Sequence, residues 1–175
     1  LSTVYFTNSG TEATEGAMKL AKRFTGRTNF VSFRNSYHGS TQGALSICGN
    51  EWLKNAYRPL LSGQTILDFN DESQFNLIDQ HTAAVFVEPI QAEAGIILPE
   101  NNFLEKLSAH CKKVGALLVF DEIQTGMGRT GKLFAFQHYN VVPDVLLLGK
   151  ALGGGMPLGA FISSSEIMKT LSHDP

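Results

Sequence analysis

At 175 residues, with 43% hydrophobic and 17% charged side chains, the chain is long enough for one domain with a sizeable core and too apolar to be disordered. A formal net charge of -2, with lysines and arginines dispersed along the chain, gives no basic field for nucleic acid or an anionic membrane. Cys48 and Cys111 lack C-x-x-C spacing and no two histidines have the H-E-x-x-H spacing, so no metal site is expected and both thiols read as reduced and buried.

No apolar run approaches the ~20 residues of a membrane-spanning helix, and the first ten residues carry no basic start or cleavage pattern, so the chain reads as cytoplasmic. It has no initiator methionine and enters a strand-like segment almost at once, which raises the expectation of a piece of something longer.

Strand-like and helix-like patterns alternate from end to end. Thr3 to Thr7 reads as a strand, and the turn Asn8-Ser9-Gly10-Thr11 leads into an amphipathic stretch, Glu12 to Phe24. Its apolar residues Ala13, Ala17, Leu20, Ala21 and Phe24 recur at helical spacing. Asn29 to Phe33 reads as a strand and Gln42 to Ile47 as a short helix, while the stretch from there to Gly63 is a polar and aromatic excursion with no assigned element. Glu72 to Gln80 is expected to be helical, Ala83 to Val87 is a strand ending in Glu88-Pro89, and Asn102 to Val114 is the clearest helix. Ala116 to Phe120 and Val145 to Leu148 are continuous apolar runs of the kind shown by parallel strands buried on both faces, and Gly159 to Ser163 is a further strand.

That alternation implies βαβ units and hence an α/β fold class: a doubly wound, mainly parallel sheet with helices on both faces, in a single domain over residues 1–175. Right-handed crossovers place the strand C-termini on a common edge. The edge would carry Ser9 to Thr11, Arg34 to Gly39, Glu88 to Gly95, Asp121 to Gln124, and Lys150. Ligands of open α/β sheets bind in the crevice beyond such an edge, so Asp121 and Lys150, arriving from two strands, can meet one small molecule. To attack a carbonyl, a lysine amine must be neutral, which burial or a neighbouring cation favours.

Other residues of the edge fit a flat, phosphate-bearing ligand. Gly10 and Thr11 open a helix whose free N–H groups and dipole suit a phosphate, with the Thr11 hydroxyl as a further donor; the same residues also serve an ordinary N-cap. Tyr37 and His38 offer an aromatic face beside that turn, and Tyr37 could equally serve core or loop packing. Glu122 closes the strand with Asp121, Ile123 could pack on a ring, and Gln124 could donate to a ring oxygen. A competing motif, Gly126 to Gly131, matches the dinucleotide fingerprint G-x-G-x-x-G. Four residues separate it from the strand end, no clear helix follows, and no strand-end acid lies ~20 residues on.

Taken together, N-S-G-T-E-A, S-Y-H-G, V-E-P-I-Q-A-E-A-G, F-D-E-I-Q-T-G-M-G-R-T-G and G-K-A-L-G-G-G-M-P-L-G-A, in this order, closely resemble the class III aminotransferases. This family of enzymes dependent on pyridoxal 5'-phosphate (PLP) includes ornithine, acetylornithine and 4-aminobutyrate aminotransferases. The resemblance implies the large domain of fold type I. Lys150 would be the Schiff-base lysine and proton carrier, and Asp121 would pair with the pyridine nitrogen. Gln124 would contact the phenolic oxygen, Gly10 and Thr11 would bind phosphate, and Tyr37 would stack on the ring. Glu122 and Ile123 would complete the cofactor contacts, and Glu93 would face the substrate by pairing with an arginine beyond this chain.

The resemblance further implies transfer of an amino group from an acetylornithine- or ornithine-like donor to a 2-oxo acid such as 2-oxoglutarate, by a homodimer. Two departures qualify it. Ser40 stands in His38-Gly39-Ser40-Thr41 where ornithine and acetylornithine enzymes commonly carry the arginine that clamps a substrate carboxylate. The chain also looks like most of the large domain alone, without the N-terminal segment and C-terminal small domain, and in isolation it is expected to be inactive. A PLP-dependent aminomutase, a nucleotide-binding α/β module and a non-catalytic fragment are the alternative readings.

Overall fold

The computed structural model of the chain describes residues 1–172. Its strands are β1 (Thr3–Thr7), β2 (Asn29–Phe33), β3 (Gln64–Leu67), β4 (Thr82–Val87), β5 (Leu117–Asp121), β6 (Val145–Leu148) and β7 (Gly159–Ser163). They form one sheet in the order β1-β7-β6-β5-β4-β2-β3. Neighbours from β3 through β6 pair in parallel, whereas β7 is antiparallel to both β6 and β1. All strands but β7 therefore point the same way and end on one edge, as the alternation of patterns requires.

The apolar runs are continuous because both faces of the sheet are covered. Successive side chains of a strand point to opposite faces. Val31, Val85, Val87, Leu118, Phe120, Leu146 and Leu148 enter one core, with Phe103, Leu104, Leu107 and Cys111 of α4 (Phe103–Val114). Phe30, Ala84, Phe86, Leu117, Val119, Val145 and Leu147 enter the other, with Ala17, Met18, Leu20 and Ala21 of α1 (Gly10–Thr25).

α1 has clear start and stop signals. Ser9 Oγ accepts the Glu12 N–H at 3.3 Å, and the Glu12 carboxylate returns to the Asn8 N–H at 2.6 Å. The helix ends at Gly26, whose φ of 68° lets its N–H reach the Lys22 carbonyl. Shorter helices are α2 (Gln42–Ser46), α3 (Glu51–Lys54) and α5 (Ser165–Met168).

Three local expectations change. The unassigned excursion contains α3, and β3 follows directly after it. β3 is a four-residue edge strand with one fully buried residue, Leu67, too short and too exposed to show alternation. The helix expected over Glu72 to Gln80 is a 3₁₀ segment, Glu72–Leu77, which starts at the Asp71 cap and buries only Phe75.

Both thiols are buried, and burial pushes them up, Cys111 to about 12. Since the thiolate is the reactive form, neither should react with iodoacetamide at pH 8 in the folded chain. Both should be alkylated after urea unfolding, as read by intact mass.

Candidate active site

The loops after β1, β2, β4, β5 and β6 converge on one cavity of about 240 Å³ at the common strand edge. Gly10, Thr11, Tyr37, Glu93, Asp121, Ile123, Gln124 and Lys150 all line it, joined by His38, Gly39, Ser40 and Glu88.

Asp121 ends β5 on the same face as Val119, the face covered by α1. It is buried, and its Oδ2 lies 2.8 Å from His38 Nδ1, itself fully buried. Its Oδ1 accepts the Ile123 N–H at 3.1 Å. Each carboxylate oxygen has a second lone pair, so the group can still accept a proton-bearing ring nitrogen. His38 belongs to the S-Y-H-G motif, whose residues suggest an aromatic face but not a partner for the acid. The signal available was a histidine just past a buried strand on the same edge as the acid.

Glu122 corrects an expectation. One residue beyond Asp121, it turns to the opposite face, where its buried carboxylate accepts the N–H groups of Ala135 at 2.6 Å and Phe136 at 2.8 Å and the Thr125 hydroxyl. Burial raises its carboxyl above the ordinary range, against the pull of those bonds. Strand alternation sends two adjacent acids to two different places. Glu122 thus supports the 135–138 turn and does not line the cavity.

Lys150 opens the segment after β6 with φ 43°, a left-handed conformation that is strained for a residue with a side chain. Its Nζ donates to Gln124 Oε1, which leaves the Gln124 amide NH₂ as a donor. Glu93 Oε1 is 4.0 Å away, and both side chains are about half exposed. In this chain the amine is therefore not enclosed by burial. Such an exposed, long ion pair contributes little to stability.

The glycines at the cavity are dictated by close approach. A Cβ on Gly10 would lie 2.8 Å from Ile123 Cδ1, and one on Gly149 would lie 3.3 Å from the Gly10 Cα. The first turn of α1 therefore presses against the β5 and β6 loops at the cavity edge, which Gly10 and Thr11 line as helix-opening residues whose N–H groups have no intrahelical acceptor. Thr11 behaves differently from expectation. Its Oγ1 accepts the N–H groups of Ser40 and Thr41, both at 3.2 Å, and lies 2.9 Å from Thr41 Oγ1. Because Thr41 spends its proton on Glu15 Oε1, the Thr11 hydroxyl must donate to Thr41. Thr11 can meet an anion through its backbone N–H.

A fold-type-I cofactor fits this donor set: helix-terminal N–H groups, a histidine-held carboxylate, an amide donor, an aromatic residue and a lysine within one cavity. The dinucleotide fingerprint has no such support. Gly126 to Gly131 is a run of turns followed only by a four-residue 3₁₀ segment, Ala135–His138, and none of its glycines lines the cavity. Among the described residues, no cluster of metal-ligating side chains occurs and no helix is long and apolar enough to cross a membrane.

An open α/β sheet that gathers a lysine and an aspartate at its strand edge belongs to the class of α/β domains that bind a small ligand there. The family model for class III aminotransferases matches residues 2–174, and the chain belongs to that family. It is 46% identical over 173 residues to a [LysW]-aminoadipate semialdehyde/glutamate semialdehyde transaminase of Sulfurisphaera tokodaii, covering 99% of this chain and 45% of the relative. To an acetylornithine aminotransferase of Methanopyrus kandleri it is 46% identical over 168 residues, 95% of this chain and 43% of the relative. An ornithine aminotransferase structure from Toxoplasma gondii, with PLP at partial occupancy in its active site, superposes with a TM-score of 0.90 at 35% identity. That match covers 96% of this chain and 42% of the other. The chain thus spans less than half the length of these relatives.

Glu122 provides a test of the two faces. Glu122→Ala should destabilise the fold by about 3 kcal/mol, because the buried Ala135 N–H and the partly buried Phe136 N–H lose their acceptor. PLP affinity, measured by absorbance titration, should stay within twofold of the parent chain. A large loss of affinity at unchanged urea midpoint would place Glu122 at the cofactor instead.

Proposed function

We propose that the chain is most of the PLP-binding large domain of a longer class III aminotransferase. The whole enzyme would move an amino group from an ω-amino donor of the ornithine or acetylornithine kind to a 2-oxo acid such as 2-oxoglutarate. The observation that carries this reading is the meeting of Lys150, Asp121 and the α1 N-terminus at one cavity. Relatives that act on acetylornithine and on aminoadipate or glutamate semialdehyde support the donor class.

When bound, PLP supplies the aldehyde that receives the amino group and the protonated ring that withdraws electrons from it. The protein's residues do the rest. The N–H groups of Gly10 and Thr11 would hold the phosphate. Asp121, fixed by His38 and the Ile123 N–H, would keep the ring nitrogen protonated. Tyr37 and Ile123 would bound the ring, and the Gln124 amide would donate to its phenolic oxygen. Lys150 Nζ would bind the aldehyde carbon covalently at rest and, once displaced by the substrate amine, would carry a proton from the substrate carbon to the cofactor carbon.

Glu93 would face the substrate, half exposed and adjacent to the reacting amine. Ser40 lines the cavity with no cation in its place, so the described part of the cavity offers a substrate carboxylate no guanidinium. A homodimer in the cytoplasm suits the exposed apolar residues Phe6, Trp52, Ile96 and Met156, which an assembled enzyme would cover.

Incubation with PLP, borohydride reduction and peptide mapping test the site directly. One pyridoxyl group per chain is expected at Lys150, and none there in Lys150→Ala; labelling scattered over surface lysines would sink the assignment. The 175-residue chain by itself should show no sustained transamination with any amino donor, whereas the full-length protein should turn over.

A further inference from the structure

The buried acid at the end of β4, Glu88, plays no part in the chemistry set out above. It is 5% exposed, lines the cavity, and stands on the strand between β2 and β5. Its Oε1 accepts the Tyr37 N–H at 2.9 Å, and its Oε2 accepts the Ala92 N–H at 3.1 Å. The two donors belong to different loops, one after β2 and one after β4 itself.

Each of these donors sits beside a residue that faces the chemistry. Tyr37 lines the cavity and immediately precedes His38, which holds Asp121. Ala92 immediately precedes Glu93, which lies 4.0 Å from Lys150 Nζ. A second tie runs in parallel: Gln91, 1% exposed, donates from Nε2 to the Arg34 carbonyl at 2.9 Å and pairs through its backbone with Ile97. The loop after β4 is therefore fastened to the loop after β2 at two buried points.

A carboxylate is the side chain that this junction needs. It offers two acceptor oxygens to two converging N–H groups, whereas a glutamine would present one acceptor and turn an NH₂ against the other donor. Burial pushes the Glu88 carboxyl above the ordinary range, the nearby Asp121 charge adds to that, and His38 and the two N–H bonds oppose it. The fold keeps an acid here in spite of its desolvation.

We infer that Glu88 is a positioning residue that couples the cofactor-side loop at Tyr37–His38 to the substrate-side loop at Ala92–Glu93. Cofactor binding that orders Tyr37 and Asp121 is then transmitted through one carboxylate to the backbone that carries Glu93. The inference rests on the proposed PLP site and adds to it a link between cofactor occupancy and the substrate-facing glutamate.

Hydrogen exchange of the full-length protein, with and without PLP, reads this coupling. In the parent protein, PLP should slow exchange at least tenfold in peptides covering 34–40 and also in those covering 88–95. In Glu88→Gln, PLP should still protect 34–40, but the gain at 88–95 should disappear. The amino-donor KM should rise about tenfold, the cost of one buried N–H left without an acceptor, while kcat changes less than threefold. Gln91→Ala, which removes the parallel tie, should preserve the PLP-dependent gain at 88–95. The inference is overturned if PLP leaves 88–95 unprotected in the parent protein, a result that needs no variant to fold, or if the gain persists in Glu88→Gln. Failure of the PLP reading itself would be separate: no pyridoxyl adduct would then form at Lys150 in the parent protein.

Discussion

Everything at the cavity depends on one constraint, the two-residue alternation of strands that are buried on both faces. Because β4, β5 and β6 are covered on one side by α1 and on the other by α4, each interior position belongs to one core or the other. Where such a strand ends, the next residue inherits its face. Asp121 continues the face of Val119 and meets His38, while Glu122 continues the face of Phe120 and meets the turn at Ala135. Two chemically similar neighbours are thus sent to opposite faces of the sheet, and only Asp121 lines the cavity.

The same edge collects buried carboxylates, and each is stabilised by donors from another segment of the chain. Asp121 has His38 and the Ile123 N–H, Glu88 has the N–H groups of Tyr37 and Ala92, and Glu122 has those of Ala135 and Phe136. At the opposite edge, where β5 and β6 begin, the partly buried Asp144 accepts the Leu118 N–H at 2.8 Å in the same way. A buried acid without such partners would be costly, so these bonds fix loop positions as firmly as apolar packing fixes the strands. The loops around the cavity are therefore cross-linked to one another, which is the preorganisation that a site for positioning and proton transfer requires.

Much of this was legible in the residues alone. Apolar runs without alternation implied a covered parallel sheet, and the order of elements placed five loops on one edge; β1, β2 and β4 to β7 lie within a residue or two of their expected bounds. Gly10, Thr11, Tyr37, Glu93, Asp121, Ile123, Gln124 and Lys150 meet at one cavity because each follows a strand that points the same way. β3 escaped notice because an edge strand of four residues makes too few contacts to impose a pattern on its sequence. The 72–77 segment lacked the second buried turn that would separate a 3₁₀ segment from an α-helix.

The sequence by itself determined the class of sheet, the direction of its strands and the list of residues delivered to its edge, because those follow from local periodicity and from the handedness of crossovers. Only the tertiary structure decided the pairings: His38 with Asp121, Glu88 with two loops, Thr11 with Thr41, and the turning away of Glu122. Those are contacts between residues as far as 83 positions apart, set by distances of about 3 Å across a packed interface. Periodicity names the face on which a side chain lies, whereas the partner it finds there depends on how the loops of five strands close against each other in space.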